Sequence, residues 1–214
     1  MVYLLFFYIY SLYNKMLTNI QLEDLCERMD IPLERICFKD QLKDQKLVYN
    51  RSYIINMEDA MSEDGDRNDG SHWVALQVNQ TKNGAIFPMY MDSYGSPPPT
   101  DITEFVGKFV PYNTKDIQSM MADFCGWACC AFLYYINTYP DRTKNLNVDS
   151  AHFLEMFDDL NTSCDFKKNE YILKLFFQST DKEKRKPIDV GLDPNNISKD
   201  NGAIHIPTHL GEKH

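Results

Sequence analysis

The sequence lacks several features that would place it in a familiar class of protein. It contains no Cys-x-x-Cys pair and no internal repeat, and none of its apolar runs reaches the roughly 20 residues that a membrane-spanning helix needs. Its six cysteines therefore do not predict a structural zinc site, and a chain of 214 residues can bury a core without disulfide staples. We expect reduced thiols in a cytosol-like compartment.

Positive charge is also scarce. The chain carries 22 Lys and Arg against 31 Asp and Glu, which gives a formal net charge of -9. A protein of this charge is repelled by phosphate backbones and by anionic membrane surfaces, so a strong nucleic-acid partner is not expected. One basic run, KEKRK at Lys182 to Lys186, is an exception, and we interpret it as a solvated segment rather than a nuclear or nucleic-acid signal.

The two ends of the chain differ from its middle. The first thirteen residues are almost wholly apolar, but they lack the basic start and small-residue cleavage site of a signal peptide. They are compatible with a segment packed on the domain, a hydrophobic anchor, or an upstream extension of a reading frame that starts at Met16, and we favour the last. We therefore expect an apolar extension over 1–15, one domain over 16–180, and an irregular tail over 181–214.

The middle of the chain alternates between strand and helix patterns. Tyr, Ile and Val predict a strand at 48–57, and the polar stretch at 58–70 predicts a mobile surface loop. Two further strands, 72–78 and 85–92, flank the turn signal Asn83-Gly84 and should form a hairpin. Helices are predicted at 18–28, 101–109, 125–139, 148–160 and 169–178.

The most apolar of these helices begins at Cys125 with the sequence CGWACCAFLYYINTY and is followed by Pro140. Such a segment is too short for a bilayer and too apolar for a surface, so it should be buried. The predicted fold is α+β, with a mixed or antiparallel sheet packed on a buried central helix that starts at Cys125.

Four residues form a coherent set for nucleophilic catalysis. Cys125 stands at a predicted helix start, where free N–H groups and the helix dipole favour a thiolate and an oxyanion. His72 opens one strand of the hairpin and Asp92 ends the other, so imidazole and carboxylate should meet at one sheet edge. Gln118 precedes the helix, and its amide is a candidate donor to an oxyanion beside the Cys125 N–H.

Residues next to these four in the sequence have other expected roles. Gly126 permits close approach of a substrate, and the ring of Trp73 is placed to shield the imidazole or line a substrate groove. Tyr94 and Gly95 should shape the turn that holds Asp92. Cys129 and Cys130 are expected to be core residues, because free Cys is often a small buried hydrophobe.

Taken in order, His72-Trp73, the MDSYG segment with Asp92, Gln118 seven positions before Cys125, and CGWACCAFL resemble the adenovirus-type (adenain-like) cysteine endopeptidases. These enzymes are related to the proteases that trim ubiquitin-like modifiers. The match covers about Ser71 to Pro140 and extends slightly through Asp141-Arg142. It implies a papain-like fold in which the four residues act as base, orienting acid, oxyanion donor and nucleophile, with no metal and no organic cofactor.

The resemblance also implies a biological setting. It points to a virus, virophage or virus-like transposable element as the source, and to capsid or core precursors, cut at Gly-containing sites during virion maturation, as substrates. The host cytoplasm or viral factory and the virion are then the expected locations, and an activating peptide is a possible partner. Two alternatives stay open: a protease for ubiquitin-like modifiers, and a Cys-His-Asp acetyltransferase on the same scaffold.

Overall fold

A computed structural model describes residues 16–120, 122–138, 145–160 and 165–180. The expected N-terminal extension, the C-terminal tail with its basic run, and the segment 139–142 lie outside the described residues. The described residues adopt a mixed α+β fold, as predicted, with a four-stranded sheet and helices on both of its faces. No helix in these ranges is long and apolar enough to cross a membrane.

The helices and strands follow one another in a simple order. They are α1 (Asn19–Arg28), β1 (Leu33–Phe38), a 3-10 helix (Lys39–Asp44), β2 (Arg51–Asn56), β3 (Trp73–Gln80), β4 (Ile86–Met91), α2 (Thr100–Val106), α3 (Cys125–Thr138), α4 (Leu146–Leu154) and α5 (Asp165–Thr180). The first helix has a capping box, in which Thr18 and Gln21 exchange side-chain to backbone hydrogen bonds of 2.8 and 3.4 Å.

The sheet has the strand order β1-β2-β3-β4 and mixed pairing. The hairpin of β3 and β4 is antiparallel, and Gly84 in its turn has a φ of +86°, which confirms the predicted turn. Strand β1, which the sequence patterns did not indicate, pairs parallel with β2. Residues 39–50 make the crossover between them, close to the shortest length that a parallel pair allows.

The core lies on both faces of the sheet, and the central strand β3 is buried on both. Trp73 and Ala75 face the layer that contains α3, whereas Val74 and Leu76 face the layer that contains α2 and the 3-10 helix. Helix α3 is buried along almost its whole length because helices α1, α4 and α5 cover the faces that the sheet does not. The predicted buried central helix is therefore present.

A buried polar network joins the end of α3 to the sheet. Asn137 Nδ2 donates to Gln77 Oε1 at 3.1 Å and to Ser52 Oγ at 3.3 Å, and Ser52 Oγ donates to Gln77 Oε1 at 2.6 Å. A shift of α3 along the sheet would break these bonds and leave polar groups unpaired. The network therefore helps, together with apolar packing, to fix the position of α3 and of Cys125 at its start.

Candidate active site

His72 and Asp92 are brought together by strand pairing. His72 directly precedes β3 and Asp92 directly follows β4, and the antiparallel register, in which Ala75 pairs with Met91, places both ends at the same sheet edge. His72 Nε2 lies 2.7 Å from Asp92 Oδ1, and the two residues are 8 % and 2 % exposed. The carboxylate therefore holds the imidazole in one orientation and requires the proton on Nε2.

The backbone around Asp92 is fixed by an asparagine that the sequence patterns did not indicate. Asn113 Oδ1 accepts from the Asp92 N–H at 2.8 Å, and Asn113 Nδ2 donates to the Asp92 carbonyl at 2.6 Å and to the Lys115 carbonyl at 2.9 Å. Asp92 Oδ1 also accepts from the Tyr94 N–H at 2.8 Å. The carboxylate can thus neither rotate nor retreat from His72 without breaking several buried hydrogen bonds.

The second nitrogen of the imidazole faces the nucleophile candidate. His72 Nδ1 is buried and has no hydrogen-bond partner of normal geometry among the described residues, yet the Cys125 thiol is close enough to raise the pKa of His72. Cys125 is 2 % exposed and begins α3, where helices leave backbone N–H groups without an intrahelical acceptor. The structure therefore places His72 between Cys125 and Asp92, and these three residues form a row with the imidazole in the middle.

The electrostatics of this row favour a protonated imidazole. Burial by itself lowers the pKa of His72, but the hydrogen bond that the imidazole donates to Asp92 and the neighbouring Cys125 raise it by more, to about 9 from the ordinary 6.5. At neutral pH the imidazole accordingly carries a proton on each nitrogen. Such a group can return a proton to a leaving atom beside Cys125.

Gln118 lies in the connection that leads to α3 and is 3 % exposed. Its orientation is set by Ser93, whose hydroxyl donates to Gln118 Oε1 at 2.8 Å and whose carbonyl accepts from the Gln118 N–H at 3.1 Å. The amide nitrogen therefore points the other way, and it donates to the Ala122 carbonyl and, at 3.4 Å, to the Tyr94 hydroxyl. The latter bond is long, so this donor can be given up to a better acceptor at little cost.

Tyr94 was predicted only to shape the turn that holds Asp92, but it also contacts other residues of the site. Its ring stacks on the imidazole of His72, with centroids 4.3 Å apart and planes inclined by 21°. The next residue, Gly95, has a φ of +69°, and a Cβ there would lie 2.8 Å from the Thr114 carbonyl oxygen. A side chain at this position would force the Asp92 turn away from the connection that carries Gln118.

Trp73 and Gly126 have surroundings that differ from their predicted ones. Trp73 is 2 % exposed and its indole N–H donates to the Leu17 carbonyl at 2.8 Å, so its ring is part of the core and Tyr94 covers the imidazole instead. A Cβ on Gly126 would lie 3.0 Å from Leu22 and 3.2 Å from Leu17, so this glycine allows α1 to pack on α3. Contact of either residue with a substrate stays a prediction.

The other described cysteines are buried, and for Cys129 and Cys130 this confirms the prediction that they lie in the core. Cys129 and Cys130 are buried, and burial raises the pKa of each thiol well above its ordinary value. Cys130 lies 3.8 Å from Cys26, sulfur to sulfur, and Cys37 has a pKa raised by burial to about 11. The raised pKa values make Cys37, Cys129 and Cys130 poor nucleophiles at neutral pH. Within the described ranges, no group of His, Cys, Asp and Glu side chains is placed to hold a metal ion.

Two supporting residues were missed because their partners are distant in sequence. Asn113 lies 21 positions from Asp92. Asn169, which is fully buried in α5, donates to the Ile117 carbonyl at 3.1 Å and so holds the backbone next to Gln118. In the sequence, Asn113 is simply a polar residue in a loop and Asn169 a polar residue in an amphipathic helix. Such residues are too common to be recognised as parts of a site.

No protein-family model matches the chain, and no curated protein matches it. The geometry of the site and the motifs of the sequence therefore carry the functional argument.

Proposed function

We propose that the protein is a papain-like cysteine protease. The observation that supports this most directly is the row Cys125, His72 and Asp92, in which Asp92 holds His72 Nε2 at 2.7 Å and Nδ1 is left for the thiol. A thiol, an imidazole and an orienting carboxylate are the groups that covalent peptide hydrolysis needs. Gln118 beside the start of α3 supplies a candidate donor for the oxyanion.

Within that class we propose an adenovirus-type endopeptidase. The support is the order and spacing of the motifs: His72-Trp73, then Asp92 in MDSYG, then Gln118 seven positions before Cys125. Its proposed substrates are capsid or core precursor polypeptides, cut at Gly-containing sites during virion maturation in the host cytoplasm, viral factory or virion. An activating peptide is a possible further partner.

The proposed reaction has two stages. The Cys125 sulfur, whose proton has passed to His72 Nδ1, attacks the scissile carbonyl as a thiolate, and the carbonyl oxygen becomes an oxyanion held by the Cys125 N–H and the Gln118 amide. His72, protonated at a pKa of about 9, gives a proton to the leaving amine, and an acyl thioester remains on Cys125. Water, activated by the now neutral imidazole, then hydrolyses the thioester and frees the thiol.

The test is cleavage of Gly-X and Gly-Gly-X peptide libraries by the purified full-length protein under reducing conditions. Wild type should cleave, Cys125→Ala should not, and Cys129→Ala should cleave at nearly the wild-type rate. Cys129 is a matched control because it lies one turn further along the same helix but is buried in the core.

Other outcomes of this experiment would contradict the protease function or favour one of the two alternative functions. Cleavage that persists in Cys125→Ala would contradict the proposal, because Cys125 is the thiol that acts on His72. Acceptance of a folded modifier fusion in preference to a precursor peptide would favour a modifier protease. Transfer of an acetyl group from acetyl-coenzyme A to a lysine peptide, without hydrolysis, would favour the acetyltransferase.

A further inference from the structure

The side chain of Tyr94 is held at the site from several directions. Its backbone N–H donates to Asp92 Oδ1 at 2.8 Å, its ring stacks on His72, and its hydroxyl oxygen lies 3.4 Å from Gln118 Nε2. It therefore touches three of the four residues proposed for catalysis. The residue is half-buried, so part of it stays open to a molecule that enters the site.

The direction of the hydrogen bond between Tyr94 and Gln118 follows from their chemistry. Because Ser93 donates to Gln118 Oε1, the other end of the amide is the NH₂ group, which can only donate. The Tyr94 hydroxyl must accept in this contact, and its own proton is left for another acceptor. No hydrogen bond shown among the described residues uses that proton.

The hydroxyl also keeps its proton over the working pH range. Burial raises the pKa of Tyr94, and the nearby Cys125 and Asp92 raise it further. A neutral hydroxyl that accepts one hydrogen bond becomes a better donor in a second one.

We propose that the Tyr94 hydroxyl is a second side-chain donor to the oxyanion, beside Gln118. The inference rests on the proposed protease function. When the Cys125 sulfur bonds to the substrate carbonyl carbon, the π electron pair moves to the oxygen, and this oxygen accepts hydrogen bonds from the Gln118 amide and the Tyr94 hydroxyl. When this electron pair re-forms the C=O double bond, the C–N bond breaks and the leaving amine takes its proton from His72. Tyr94 keeps its proton throughout and is therefore a catalytic residue by contact, not by proton transfer.

Tyr94→Phe tests this inference because it removes the hydroxyl and keeps the ring on His72. We expect kcat for a cleaved peptide to fall about 10- to 100-fold, somewhat less than the loss of a main oxyanion donor, with KM within about twofold of wild type. Alkylation of Cys125 by iodoacetamide forms no oxyanion, so its rate should stay unchanged. Tyr112→Phe, which alters a tyrosine outside the site, should leave both rates unchanged.

The possible results separate this inference from the proposed function. Wild-type kcat in Tyr94→Phe would overturn the inference and leave the protease assignment intact. An equal slowing of cleavage and alkylation would also overturn it, because the hydroxyl would then act on the thiol or imidazole. If wild-type enzyme cleaves no peptide while Cys125→Ala is equally inert, the protease function itself fails and the inference fails with it.

Discussion

His72 and Asp92 face each other because they flank the paired ends of β3 and β4, and the resulting Nε2 to Oδ1 distance is 2.7 Å. This pairing fixes the tautomer of the imidazole and sets which nitrogen is left for Cys125. The geometry therefore depends on the sheet register and on the residues that hold the Asp92 turn, and each of these can be tested separately.

The pKa of His72 predicts a pH dependence of stability. Because its pKa rises from 6.5 to about 9 on folding, the stabilisation is fully present below about pH 6.5 and is lost as the pH rises through 9. The difference in unfolding free energy between wild type and His72→Gln should shrink, by an amount on the order of 3 kcal/mol, between pH 6.5 and pH 10. Urea unfolding of both proteins across this range measures it; a constant difference would contradict the raised pKa.

Removal of the Asn113 side chain should loosen the carboxylate. Asn113→Ala leaves the Asp92 N–H and the Lys115 carbonyl without their partner and removes one of the two donors to the Asp92 carbonyl, which keeps the Gly95 N–H, so we expect a loss of about 1–3 kcal/mol in unfolding free energy and a lower kcat. Denaturant unfolding and peptide cleavage measure the two effects. Asn147→Ala, at an exposed position of α4, is the matched control and should change stability by less than about 0.5 kcal/mol. Equal effects of the two substitutions would show that Asn113 has no special role.

Gly95 should tolerate alanine much less well than another glycine of similar conformation. Gly95 and Gly107 have φ values of +69° and +72°, but only at Gly95 would a Cβ approach backbone atoms, at 2.8 Å from the Thr114 oxygen. Gly107→Ala should therefore cost about 1 kcal/mol of unfolding free energy, and Gly95→Ala roughly 2–4 kcal/mol, with reduced activity only in the latter. Thermal or urea unfolding of both variants makes the comparison; similar losses would show that the turn can shift.

Gln118 should affect the chemical step rather than substrate binding. Gln118→Ala removes the amide that we propose donates to the oxyanion and not to the bound substrate, so kcat should fall by about 100-fold while KM stays within about threefold. Steady-state cleavage of a library-derived peptide is the measurement. Gln80→Ala, at the far end of β3, is the control and should behave as wild type. A rise in KM with normal kcat would assign Gln118 to substrate binding instead.

The sequence predicted the parts of the site that depend on local pattern. The turn signal at Asn83-Gly84 and the apolar strands on either side determine the hairpin, and the hairpin alone brings His72 to Asp92. The apolar stretch from Cys125 likewise determines α3, because a helix without a polar face has to be buried.

Other parts could not be predicted, because they depend on contacts between distant segments. Strand β1 has charged residues at Glu34 and Arg35 and is recognisable only through its parallel pairing with β2. Helix α4 spans Leu146–Leu154 rather than 148–160, since Asn145 caps it early and the backbone of Asp158 is bound by Asn169 beyond its end. Helix α5 begins at Asp165, four residues before the predicted start.

The most direct test of the account is the rate at which iodoacetamide alkylates Cys125 in wild type and in His72→Ala, followed by peptide mass spectrometry at neutral pH. Cys37, buried and remote from the imidazole with a pKa of about 11, serves as the internal reference. The account predicts that Cys125 reacts much faster than Cys37 in wild type, and that this advantage falls at least tenfold in His72→Ala. An alkylation rate of Cys125 that does not change when the imidazole is removed would contradict the assignment of Cys125 and His72 as a catalytic pair.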